Sequence, residues 1–266
     1  MLKQRLITAI ILIPIIIWIL LTTSTQVLAG IISIFVLISA WEWAALCGWR
    51  TKLARNLYVI LVGILLLTSY WFWQYAIYTL FIATIWWLIA LYLTWQYQQG
   101  QDLLPTSPLI KALLGLVILI PAWIALLLLR EEHGGQSVLF LFVLIWAADS
   151  GAYFAGKRWG KTKLANKVSP GKTLEGVAGA LLMGTVVAIG YTILQATSLN
   201  FILLCLVIIP ISILGDLLES MFKRQMNIKD SGNILPGHGG MLDRIDSLTS
   251  AAPIFVGGLI LFHFLG

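Results

Sequence analysis

Leu109-Ile-Lys-Ala-Leu-Leu-Gly-Leu-Val-Ile-Leu-Ile-Pro-Ala-Trp-Ile-Ala-Leu-Leu-Leu-Leu129 runs for 21 residues with a single charge, Lys111, near its start. A helix needs roughly 20 apolar residues to cross the hydrocarbon core of a bilayer. Polar and apolar residues do not alternate along the run, which selects a helix over a barrel strand. Lipid leaves no backbone group to be satisfied by water, so helical bundles and closed barrels are the available architectures. Eight further stretches read the same way: Leu6–Leu21, Val27–Cys47, Leu53–Trp73, Tyr75–Trp95, Ser137–Gly156, Leu174–Leu194, Leu199–Glu219 and Ile245–Leu265. Of 266 residues, 60% are hydrophobic and 11% charged, where a soluble domain carries about 25% charged residues. The sequence predicts an all-α polytopic membrane protein, a bundle of about nine transmembrane helices.

Cytoplasmic loops concentrate Lys and Arg. With nine spans and a cytoplasmic N-terminus, 16 of the 17 Lys and Arg residues fall on the cytoplasmic side. Only Arg130, beside Glu131 and Glu132, falls outside. Eight or ten spans would scramble that division, so the C-terminus is expected outside. Cys47 and Cys205 both lie in apolar spans, and no disulfide framework is expected. Lys3 and Arg5 ahead of an apolar run imitate a signal peptide. The run is long for one, and another span follows at once, so cleavage is not expected.

Residues 1–135 are spans joined by short, weakly charged loops. Residues 136–266 carry charge on or beside every span, always toward the cytoplasmic side, and function is expected there. Glu42, between Trp41 and Trp43, is a carboxylate buried in a span of the first half. Pairing with a site residue and interhelical hydrogen bonding for packing are both open to it. Asp149 lies near the cytoplasmic end of the sixth span, where a carboxylate requires a cation, a metal or a donor. The basic loop from Lys157 leads into a helix. Ser169 as N-cap and Pro170 at the first helical position would put Lys172 and Thr173 in the first turn, a natural phosphate site. Gly171-Lys-Thr173 is not a nucleotide P-loop, because Asn166 stands where that motif needs glycine.

Asp216, Glu219, Ser220 and Lys223 follow i, i+3, i+4, i+7 spacing and share one helix face. Glu219 with Lys223 reads as an intrahelical ion pair. Asp216, with no cation four residues on, is the better metal ligand. Beyond Gly237-His-Gly-Gly240, Asp243 and Asp246 stand one turn apart at the start of the last span. Magnesium typically takes one or two carboxylates together with substrate phosphates, and these two can converge with Asp216. Arg244 is placed to meet a phosphate or headgroup, and His238, between glycines, is expected to contact substrate.

The segment from Ser220 to Asp246 resembles the signature of phosphatidate cytidylyltransferases. Ser220, Lys223, Arg224, Lys229, Asp230, Pro236, His238, Gly239, Gly240, Asp243, Arg244 and Asp246 carry the match. Asp149-Ser-Gly-Ala-Tyr153 and Ser169-Pro-Gly-Lys-Thr-Leu-Glu-Gly176 are similar to other stretches of that family. The resemblance covers the second half; the first half agrees only in being a run of spans. It implies transfer of CMP from CTP to phosphatidic acid, giving CDP-diacylglycerol and pyrophosphate in phospholipid biosynthesis. It also implies Mg2+, with room for a monovalent cation such as K+ beside it, and a homodimer. The metal-binding acids of the family map onto Asp216, Asp243 and Asp246.

On this reading Lys172, Lys223 and Arg224 neutralise the lipid phosphate and the leaving group. Ser169 and Thr173 donate to phosphate oxygens, and Asp149, Lys229, His238 and Arg244 complete the substrate contacts. The site would face the cytoplasm from a bacterial inner membrane, with membrane lipids as surroundings and no nucleic acid as partner. A transporter would instead carry its charges near mid-bilayer on broken helices in paired halves. A different metal-dependent lipid-phosphate transferase would share the acids and cations, and is the other alternative.

Overall fold

The computed structural model describes residues 13–234 and 239–265, with backbone alone for 263–265. Among these residues lie eight α-helices: α1 (Ile13–Thr22), α2 (Thr25–Leu46), α3 (Lys52–Trp71), α4 (Ala76–Gln99), α5 (Pro108–Trp159), α6 (Leu174–Gln195), α7 (Leu199–Gln225) and α8 (Leu242–Leu265). A short 3-10 turn, Trp73–Tyr75, links α3 to α4. Seven of the helices, α2 to α8, are long and apolar enough to cross a membrane, whereas α1 is shorter. Polar residues set the ends. The Ser24 and Thr51 hydroxyls accept from the amides of Val27 and Ala54, each at 3.3 Å, and start α2 and α3. Gly100 ends α4 in the left-handed region at φ 96°.

With its 52 residues, α5 would run about 78 Å if straight, more than twice the hydrocarbon thickness. It is not straight. Gly134 takes φ 78° and ψ 174°, a conformation closed to residues with side chains, and divides the helix. Both ends of α5 lie where α7 finishes. Lys111 Nζ, near the start of α5, is 3.9 Å from Met226 Sδ just past α7. Beyond the far end, Val168 O accepts from Arg224 Nε at 3.2 Å. Around Gly134, by contrast, Arg130 donates to Leu20 O and Thr23 O, and Thr25 donates to Glu131. Hence α5 is two arms, 108–133 and 135–159, folded back at the glycine. The sequence placed a loop at 130–136; the chain stays helical right up to the one residue that can reverse it.

Traced from end to end, the helices gather every described Lys and Arg except Arg130 at one end of the bundle, together with the end of α2 and the starts of α6 and α8. One apolar core joins α2, α3, α4 and the first arm of α5 to Leu214–Phe222 of α7. The other joins the second arm to α6, α7 and α8. Trp43 packs edge-on to Phe222 with ring centroids 5.0 Å apart and donates from Nε1 to Lys111 O at 2.8 Å, which ties α2 to α7 and α5. Helices in lipid gain little from apolar burial and associate through close backbone approach. Gly151 and Gly179 supply that approach between the second arm and α6; a Cβ on either would strike the opposing helix.

The basic segment departs from expectation. Ser169–Thr173 is not a first helical turn but a strand, β2, paired antiparallel with β1 (Lys163–Ala165). The true N-cap of α6 is Thr173, whose Oγ1 accepts from Gly176 N at 3.1 Å. Pro170 fits because a strand of a two-stranded ribbon has a free edge where no N–H is required. Ser169 therefore caps nothing, and Lys172 precedes the helix. The acidic Glu175 occupies the first turn and accepts from Thr162 N.

Candidate active site

At the cation-rich end, α7 and α8 cross closely at Gly215, where a Cβ would run into Asp246 O and Ser250 Oγ. The crossing sets the acidic face of α7 against the first turns of α8. Along α7, Ser220 Oγ donates to Asp216 Oδ1 at 3.2 Å and Lys223 Nζ lies 3.4 Å from Glu219 Oε2. The shared face expected from spacing is present. Lys223 also reaches across to Asp243 Oδ1 at 2.5 Å, so one buried ammonium joins acids from two helices.

Asp243 is fully engaged. Its Oδ2 accepts from Ser231 N at 2.9 Å and Gly240 N at 2.8 Å, with the Ser231 hydroxyl also 2.9 Å away. Asp216 meets a cation that α7 does not supply: Lys172 Nζ, from β2, stands 2.7 Å from its Oδ2. Asp246 has Asp216, Glu219 and Lys172 as electrostatic neighbours. Asp149 is exposed on the second arm and interacts with Asp216, Lys172 and Arg244. The structure therefore brings Asp149, Lys172, Asp216, Lys223, Asp243, Arg244 and Asp246 to one place.

Others stand apart from this cluster. Arg224 holds backbone, donating to Val168 O and to Ile228 O at 3.5 Å, and so ties the hairpin to the loop after α7. Lys229 is exposed on that loop, Ser169 is half-buried in β2, and the Thr173 hydroxyl accepts the capping bond from Gly176 N. His238 lies outside the described residues. Two participants were undervalued by spacing alone. Glu219 is buried beside Asp246 and Asp243 as well as Lys223, with its carboxyl group hydrogen-bonded to that of Asp246. Ser231 bridges Asp243 to Glu42 of the first half, with its Oγ 3.0 Å from Glu42 Oε2. Two acids on one face of α7 hinted at the first; no local signal marks the second.

The profile of the cytidylyltransferase family matches residues 3–262. The chain belongs to the cytidylyltransferase family. Its membership extends over both halves, well beyond the signature segment. Phosphatidate cytidylyltransferase of Pseudomonas aeruginosa is 42% identical over 260 residues, covering 96% of each chain. The enzyme of that name from Haemophilus influenzae is 38% identical over 280 residues, covering 96% of this chain and 97% of its own. A third, from Bacillus subtilis, is 44% identical over 135 residues, half of each chain. As a cytidylyltransferase with seven apolar helices, the protein is a nucleotidyl-transfer enzyme integral to a membrane.

Cytidylyltransferase chemistry handles polyphosphate, so the fit of the site to a hard divalent ion matters. Among the described residues no three acids or histidines converge on one point. Magnesium does not need three, since it commonly keeps waters and phosphate oxygens around one or two carboxylates. Asp216, whose side chain is 37% exposed, can release Lys172 and offer its oxygens outward. Asp246, hydrogen-bonded to Glu219, stands behind it. Asp243 suits the role least, because protein donors already take both its oxygens. The donor set fits such an ion.

Proposed function

We propose that this cytidylyltransferase moves the CMP group of CTP onto phosphatidic acid, releasing CDP-diacylglycerol and pyrophosphate. The observation that carries the proposal is agreement over 96% of the chain with two enzymes named for that reaction. The setting suits it, because one substrate is a lipid and the charged cluster lies at an end of a membrane-spanning bundle.

A phosphate oxygen of phosphatidate attacks the α-phosphorus of CTP, and the bond from that phosphorus to the β-phosphate oxygen breaks. A phosphate monoester has a second pKa of about 6, so the nucleophile is already ionised and needs no strong base. The task is to bring two polyanions together and hold the departing charge. Lys172, resting on the part-exposed Asp216, can exchange that partner for a phosphate, and Lys223 adds its positive charge from between Asp243 and Glu219. Arg224 and Lys229 border the approach, and Arg244 and Asp149 flank it from α8 and the second arm of α5. Asp216 and Asp246, with Glu219 behind them, would hold Mg2+, which when bound supplies charge screening for the triphosphate and the leaving group. Room for K+ beside it, and a homodimeric assembly, belong to the same proposal.

Counting α5 as two crossings and α1 as one gives nine, with the N-terminus inside and the C-terminus outside. The site then faces the cytoplasm across a bacterial inner membrane, residues 136–266 carry catalysis, and 1–135 support it. Purified protein incubated with radiolabelled CTP and phosphatidic acid, with and without Mg2+, should form labelled CDP-diacylglycerol only when all three are present. Failure with active control enzyme alongside would refute the reading.

A further inference from the structure

Glu42 lies on α2 and is 98% shielded from solvent, with a relative exposure of 2%. Among the described residues it forms no ion pair, yet its carboxylate is saturated. Oε1 accepts from Met241 N at 3.0 Å, and Oε2 accepts from Leu242 N at 2.8 Å with the Ser231 hydroxyl 3.0 Å away. Met241 immediately precedes α8, and Leu242 is its first residue. The first amides of a helix have no partner within it, and the dipole there favours a negative charge. Helices usually meet that need with a neighbouring Ser, Thr, Asp or Asn. Here the residues before Leu242, namely Gly239, Gly240 and Met241, carry no capping oxygen, so the cap arrives from another helix.

The glycines follow from this arrangement. A Cβ on Gly232 or Gly240 would fall on the carboxylate of Glu42, so the loop is bare where the acid must enter. Trp43, wedged against Phe222 and bonded to Lys111 O, fixes the next residue of α2 and with it the position of the acid. Ser231 hands the arrangement on, since its hydroxyl lies between Glu42 and Asp243, and Asp243 holds Lys223.

We propose that Glu42 is a positioning residue for catalysis: a cap supplied in trans by the first half, which sets the start of α8 and so aims Asp243, Asp246 and Lys223. The inference rests on the proposed activity for its kinetic test but not for its structural one. In Glu42→Gln an amide NH2 must face a backbone N–H, so one of the two helix amides loses its acceptor. The folded variant should lose about tenfold or more in kcat while KM for CTP changes by less than about threefold, the scale of one charge-assisted bond lost. Hydrogen exchange at residues 241 and 242 should quicken by about the same factor, and exchange in α6 should not change. Ser231→Ala should show a smaller kcat loss, and the double variant should lose less than the product of the two. A Glu42→Gln variant that keeps kcat within twofold, or whose loss merely tracks the fraction unfolded in detergent, would overturn the role. Unchanged exchange at 241 and 242 would overturn the cap itself. If the native protein makes no nucleotide-lipid product, the proposed reaction fails, and the exchange measurement still decides whether Glu42 caps α8.

Discussion

Lys223 and Lys172 hold similar carboxylates, yet their surroundings give them different energetic roles. The Lys223 and Asp243 side chains are 9% and 8% exposed, and Glu219 is 4% exposed. Removing one member of a buried ion pair leaves an uncompensated charge and typically costs about 3–5 kcal/mol. Lys223→Ala should therefore lower the detergent melting temperature sharply as well as abolish turnover. Lys172 and Asp216 are 23% and 37% exposed, and pairs near solvent contribute only about 0–1 kcal/mol. Lys172→Ala should melt almost as the native protein does while losing activity, and equal destabilisation by the two variants would contradict this contrast. Asp246→Asn should stay folded and lose about a hundredfold in kcat, because the ion it would hold is what offsets the transition-state charge. Spacing along the chain exposed the shared face of Asp216, Glu219, Ser220 and Lys223. It could not show that Asp216 is met by Lys172, because that lysine arrives from a strand 44 positions earlier.

At the level of elements, α5 and the hairpin separate what local pattern can and cannot supply. The apolar run 109–129 and its neighbour 137–156 were both legible as spans. The reversal between them is made by Gly134 alone, within a segment that otherwise keeps helical bonds. Gly134→Ala forces a side chain into a conformation reserved for glycine, at a cost of about 1–3 kcal/mol, and thermal unfolding in detergent would register it. The stretch 169–173 misled because Ser followed by Pro is a common helix opening, while the same residues also suit the edge of a ribbon. What decides is the partner strand, Lys163–Ala165, and the side chain of Thr173, which satisfies Gly176 N. Thr173→Ala should cost about 1 kcal/mol of stability through the lost cap.

For the whole molecule, orientation and metal dependence each have a direct measurement. In a protein lacking Cys47 and Cys205, Glu131→Cys should react with a membrane-impermeant maleimide in intact cells. Lys161→Cys should react only after the membrane is opened, and the reverse pattern would invert the proposed topology. Chelation of divalent ions should stop transfer and Mg2+ should restore it; activity indifferent to chelation would remove the metal from Asp216 and Asp246. Hydrophobicity, the helical class and the gathering of cations at one end were determined by the sequence itself. Unpaired backbone and buried charge are penalised by lipid residue by residue, and such a penalty is visible in any short window. Only the tertiary structure decided which acid meets which base, and that Glu42 caps a helix 200 residues away. Contacts of that span are fixed by how whole helices pack, and no local window contains both partners.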